Sequence, residues 1–216
     1  MKRKFLILAA ILAVALMAAP ASAVTFTGTD AAGDPVSASA NFIFGTDTVT
    51  VELTNTLTNI KNAGQVLSDL FFTVSTGQTV GSMTSSSGAL RIINAGNTFT
   101  NDGSGSTGWT FAFSNGTFHL DGLDGAQFVP SHTIIPDQTS YAANASIAGN
   151  GPHNPFLYGP VDFVLSMPGV TAQSTATNVA FSFGTEPSTV PIPPSALLLG
   201  SGLLGLVGLG WRRKKS

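Results

Sequence analysis

Residues 36–55 read VSASANFIFGTDTVTVELTN, and this stretch decides the fold class. Val36, Ala38, Ala40, Phe42 and Phe44 alternate with polar or smaller partners. After Gly45-Thr46-Asp47, Val49, Val51 and Leu53 alternate against Thr48, Thr50, Glu52 and Thr54. A period of two places each apolar set on one face of a strand, and a short Gly/Asp connection closes two such strands into a hairpin.

The pattern recurs along the chain. SDLFFTVS (68–75), GWTFAFSNGTFHL (108–120), VDFVLSM (161–167) and TNVAFSFG (177–184) each alternate, and Asn115-Gly116 is the strongest hairpin signal present. Thr, Ser, Val, Phe, Gly and Asn dominate, while helix-forming Glu, Lys and Arg are few. The expected fold is all-β, a single antiparallel β-sandwich or jelly roll across residues 24–184. Residues 128–160 lack clear periodicity and are expected to form a long loop.

The ends differ in kind. Lys2, Arg3 and Lys4 precede an apolar run, and Ala21-Ser22-Ala23 supplies small residues before Val24. That is the plan of a secretory signal peptide over 1–23, helical before removal, with cleavage between Ala23 and Val24. At the other end, residues 185–194 (TEPSTVPIPP) read as a proline-rich linker. Residues 195–216 then read as a transmembrane helix with a basic stop.

That helix is short. Sixteen residues, 196–211, carry no charge, and at 1.5 Å per residue they cover about 24 Å of a hydrocarbon core of about 30 Å. Arg212, Arg213, Lys214 and Lys215 would remain on the cytoplasmic side, leaving the β domain outside. A plain single-span anchor is the alternative reading. The basic end argues against a lipid-anchor signal, and no sortase-type LPxTG is present.

The tail VPIPPSALLLGSGLLGLVGLGWRRKKS (190–216) resembles the PEP-CTERM sorting signal of Gram-negative bacteria in its order of proline motif, Leu/Gly-rich helix and basic cluster. Val190, Pro191, Ile192, Pro193 and Pro194 match the sorting motif in its Val-Pro-Leu-Pro variant, with no carboxylate between the prolines. Segments 36–45, 64–77 and 149–170 are also similar to ectodomains carrying such tails. The resemblance implies a substrate of exosortase that uses the export machinery and holds the inner membrane transiently. It further implies a place at the cell surface or in the extracellular matrix, in the context of exopolysaccharide and biofilm.

Charge and chemistry narrow the function classes. Residues 24–190 hold all eleven acidic residues but only Lys61 and Arg91 among the basic ones, a net charge of −9. Nucleic acid is therefore not an expected partner. Cysteine is absent, so packing alone must hold the domain.

No catalytic residue is expected. Asp121 and Asp124 in HLDGLDG (119–125) read as turn formers, no GxSxG elbow or Walker loop occurs, and no enzyme is predicted. His119, His132 and His153 form no short ligand pair, so no transition-metal centre is expected from spacing, though His132, Asp137 and His153 share the long loop. The oxygen-rich loops NDGSGSTG (101–108) and DGLDG (121–125) are candidates for calcium. Trp109, Tyr141 and Tyr158 are the large amphipathic aromatics of the domain and the candidate sugar contacts. The expected function is a non-enzymatic surface or matrix protein, with a carbohydrate-binding, lectin-like module as the alternative.

Overall fold

The hairpin at 36–55 forms as its alternation requires. In the computed structural model, β2 (Pro35–Phe44) and β3 (Thr48–Asn55) pair antiparallel, with Phe44 opposite Val49 and Ala40 opposite Leu53. Val36, Ala38, Ala40, Phe42, Phe44, Val49, Val51 and Leu53 are all buried. The Gly45 amide donates to the Thr48 carbonyl, and Asp47 takes the left-handed φ of 55° that closes the connection.

The structure describes residues 22–96, 98–123, 132–141, 145–148, 151–185 and 189–190. The strands beside the hairpin are β1 (Ser22–Thr29), β4 (Leu67–Val74), β5 (Ser82–Ile93), β6 (Phe99–Gly105), β7 (Thr110–Ser114) and β8 (Thr117–Asp121). They continue with β9 (Ile134–Ile135), β10 (Phe156–Ser166), β11 (Ala176–Phe183) and β12 (Thr189–Val190). Helix is confined, among the described residues, to one turn, α1 (Ala145–Ala148), and the 3-10 turns Ala63–Gln65 and Gly151–His153. The protein is all-β, and none of its described helices is long and apolar enough to cross a membrane. Most of the expected signal peptide, the motif residues Pro191, Ile192, Pro193 and Pro194, and the expected helix 195–216 lie outside the described residues.

All strands of the described residues belong to one hydrogen-bonded sheet, ordered β1-β2-β3-β10-β9-β4-β11-β12, with β5 and β6 branching from β10 and β8 and β7 from β4. The pairings are antiparallel except β9 with β10. Strand β10 serves both parts of the sheet. Its first residues meet β9 and β5, its last six pair with β3 and its last five with β5, with a register shift on the β5 side between Tyr158 and Asp162. Gly159, at a φ of 72°, and Pro160 occupy that shift, where a ladder amide is dispensable.

Aromatic contacts carry the core between the parts. Phe26 of β1 lies 6.0 Å from both Phe181 and Phe183 of β11, Phe42 of β2 meets Phe72 of β4 edge-on at 5.2 Å, and Trp109 lies 5.1 Å from Phe163 of β10. Each buried Phe contributes about 1.5–3 kcal/mol, and well-oriented ring pairs add about 1 kcal/mol. A smaller cluster of Ile60, Val66, Ile93, Ile135, Tyr141, Ile147 and Phe156 forms separately.

Three expectations are corrected. The loop expected at 101–108 is strand up to Gly105, because β5 supplies backbone partners along Phe99–Gly105. The loop expected at 128–160 contains β9, α1, a 3-10 turn and the start of β10. Within the expected linker 185–194, Thr189 and Val190 pair with Ser182 and Phe181 as β12. At the opposite end Ala23 and Val24 both lie in β1, and the six pairs from Val24 to Thr29 are independent of a cut before Val24.

Candidate functional site

Strand β4 buries Leu70, Phe72 and Val74, which sends Asp69, Phe71 and Thr73 to its other face. Strand β8 buries Phe118 and Leu120, which sends His119 and Asp121 the same way. The β4–β8 register then sets Asp69 directly opposite Asp121 and Phe71 opposite His119. Like charges placed so are unfavourable. The imidazole offsets them.

His119 Nε2 lies 3.1 Å from Asp69 Oδ1, and its Nδ1 lies 3.6 Å from Asp121 Oδ2. The ring stacks on Phe71 at 3.9 Å and 12°, which fixes its rotamer. Ser68 Oγ donates to Asp69 Oδ2 at 2.7 Å, and the Leu123 amide donates to Asp121 Oδ1 at 2.7 Å. The Asp69 side chain is 1% exposed, against 19% for His119 and 14% for Asp121, so the cluster opens on the β8 side.

Burial pushes the Asp69 carboxyl up, but hydrogen bonding with His119, Ser68 and Asp121 and the charge of His119 hold it below the usual carboxylate range. The arrangement is not a hydrolytic triad. Ser68 bonds the carboxylate, whereas nucleophile activation needs the serine on the imidazole.

The candidate sugar contacts do not come together on a surface. Trp109 is 4% exposed, with Nε1 donating to the His132 carbonyl at 2.7 Å. Tyr141 is wholly buried; its hydroxyl donates to the Pro136 carbonyl at 2.9 Å and accepts from Arg91 Nη1 at 2.8 Å. Tyr158 lays its ring 3.6 Å from the Arg91 guanidinium. The physical reason is that the rings of Trp109 and Tyr141 are buried with their polar tips on internal partners, so these two present no free face to a pyranose.

Arg91 organises that region. Phe99 covers it from 4.0 Å, and Asn101, Asp137 and the Gln138 carbonyl accept its hydrogen bonds. Burial opposes its charge, but Tyr141 and Asp137 hold its pKa above the ordinary value.

Asp137 therefore points to Arg91 at 3.0 Å. His132 and His153 are close enough to interact, and His132 is held below the usual histidine range by burial and by the charge of His153. Of the expected calcium loops, Asn101 is committed to Arg91 and Asp121 to the β8 cluster; Asp124 and Gly125 lie outside the described residues.

A separate cleft of about 770 Å³ runs between residues 54–59 and 136–140 and is lined mainly by Thr, Asn, Gln and Ser. Gln138 spans it, accepting from the Ile60 amide and donating to the Thr58 carbonyl.

No protein-family model matches the chain, and neither a curated protein nor a solved structure matches it.

Proposed function

We propose that the chain is an exported structural protein of the cell surface or extracellular matrix, non-enzymatic, with a PEP-CTERM-like tail processed by exosortase. Its setting is exopolysaccharide and biofilm. The observation that carries this reading is the order of segments: a basic-apolar-small leader, a β domain, then VPIPP, an apolar run and RRKK. Val190, the first residue of the motif, pairs with Phe181 in β12, at the end of the strand order. The cross-contacts of β1 with β11 and of β2 with β4 support describing the sheet as a β-sandwich or jelly roll.

Intact mass of the exported protein, with sequencing of its C-terminal peptide, tests the reading. A chain ending near residues 190–193 is the expected result. A chain still ending in Trp211 and the basic cluster makes the segment a plain anchor and removes the exosortase assignment.

The cleft at 54–59 and 136–140 favours a second reading, a carbohydrate-binding module. Its hydroxyl and amide lining suits neutral sugars, though without the aromatic platform that Trp109 and Tyr141 would have supplied. Titration calorimetry against the matrix polysaccharide decides it: saturable heat supports the module, and its absence ends that reading.

A further inference from the structure

We propose that Asp69, His119 and Asp121 form a binding site for a divalent transition-metal ion, with zinc the best match. One donor atom from each residue lies within 4.8 Å of the others. The 3.1 Å between His119 Nε2 and Asp69 Oδ1 is already close to the spacing of two atoms bound to one zinc at about 2.0–2.2 Å each. Asp121 Oδ2 now lies 3.6 Å from the other ring nitrogen, Nδ1, so its carboxylate must swing toward Nε2 to complete a three-ligand face, with the fourth position left to solvent.

The scaffold suits this purpose. All three donors stand on adjacent strands in fixed register, so no loop has to fold around the ion. The partners that orient metal ligands are also present. Ser68 Oγ holds the second oxygen of Asp69, the Leu123 amide holds Oδ1 of Asp121, and Phe71 supports the imidazole plane.

Donor type narrows the metal. One imidazole with two carboxylates is harder than a cysteine site, and softer than the all-oxygen shell that calcium or magnesium takes. Two carboxylates balance the dication, and the dication removes the repulsion between Asp69 and Asp121 across the strands. The ion would pin β8 to β4. The site depends on neither the sorting tail nor the cleft.

The test uses the full-length chain in mild detergent, stripped with a chelator and titrated with zinc chloride near pH 7. Expected are saturable one-to-one binding by calorimetry, a rise in Tm with zinc, and a shift of the His119 ring resonances at one equivalent while those of His132 and His153 stay in place. His119→Gln and Asp121→Asn should each weaken binding more than about tenfold. The proposal is overturned if zinc gives no saturable heat up to about 1 mM, or if the ring that shifts is His132 or His153. Equal affinity in folded His119→Gln protein overturns it too. Should that variant fail to fold, the ring resonances of the unsubstituted protein decide between the two outcomes alone.

Discussion

The Arg91 guanidinium lies 3.6 Å from the centroid of the Tyr158 ring, with Phe99 on it at 4.0 Å. One of only two basic residues between 24 and 190 is thus spent inside the domain, where it ties β5, β6, β10 and residues 137–141 together. Arg91→Ala leaves the Tyr141 hydroxyl and the Asn101 amide without their charged partner and strips the cation from two rings. We expect a loss of about 3 kcal/mol in urea unfolding. Asp137→Ala, on a side chain 62% exposed, should cost less than about 1 kcal/mol. Equal costs would show that the surface ion pair, not the aromatic cage, holds the region.

The β7–β8 hairpin turns through Asn115 and Gly116 at φ values of 50° and 84°. A Cβ on Gly116 meets no atom within 4 Å, so Gly116→Ala tests the backbone alone. The left-handed conformation should cost about 1 kcal/mol. A neutral substitution by thermal unfolding would mean that the turn relaxes to another type.

Much of this is legible in the sequence, for a reason visible in the strands themselves. Strands β2, β3, β8 and β11 bury one face, so their sequences must alternate, and Asn115-Gly116 can close little but a tight hairpin. Strand β6 and the serine run of β5 escape because a mostly exposed strand needs no apolar face; only its neighbour defines it. The cluster on β8 is half legible. His119 and Asp121 stand two apart and read as a lone histidine and a turn residue, while Asp69 sits fifty positions away and joins them only through the β4–β8 register. Trp109 and Tyr141 mislead because sequence distinguishes an amphipathic ring from an aliphatic one, but not which side of the sheet receives it.

Asp162 and Glu52 face each other on β10 and β3, with Asn41 Nδ2 donating to Glu52 Oε2 at 2.6 Å. Although Asp162 is exposed, partial desolvation and then the charge of Glu52 push its carboxyl above the ordinary value. A carboxyl whose pKa rises on folding weakens the fold in its charged form. The penalty is absent below the unfolded value of 3.8 and complete above the folded pKa. Asp162→Asn should therefore stabilise at pH 7 by less than about 0.5 kcal/mol, since solvent screens a cross-strand pair at this exposed position, and lose that advantage as pH falls toward 3.8. A gain that persists unchanged at pH 3 would place its origin outside the carboxylate pair.

His132 supplies the opposite sign. Burial, and secondarily the charge of His153, holds its folded pKa below the ordinary 6.5, so the folded state keeps the ring neutral. As pH falls through 6.5 the unfolded chain takes up a proton that the folded chain refuses, and stability drops until the folded pKa is passed. One proton sets a ceiling of about 1.4 kcal/mol per pH unit. The informative quantity is the difference between the unsubstituted protein and His132→Gln, in which contributions common to both cancel. Urea unfolding of both between pH 7.5 and 5 should show the unsubstituted protein losing stability relative to the variant on acidification, because the variant has no ring to protonate. Parallel curves would mean that His132 protonates equally easily folded and unfolded, and that its burial beside His153 is relieved by water.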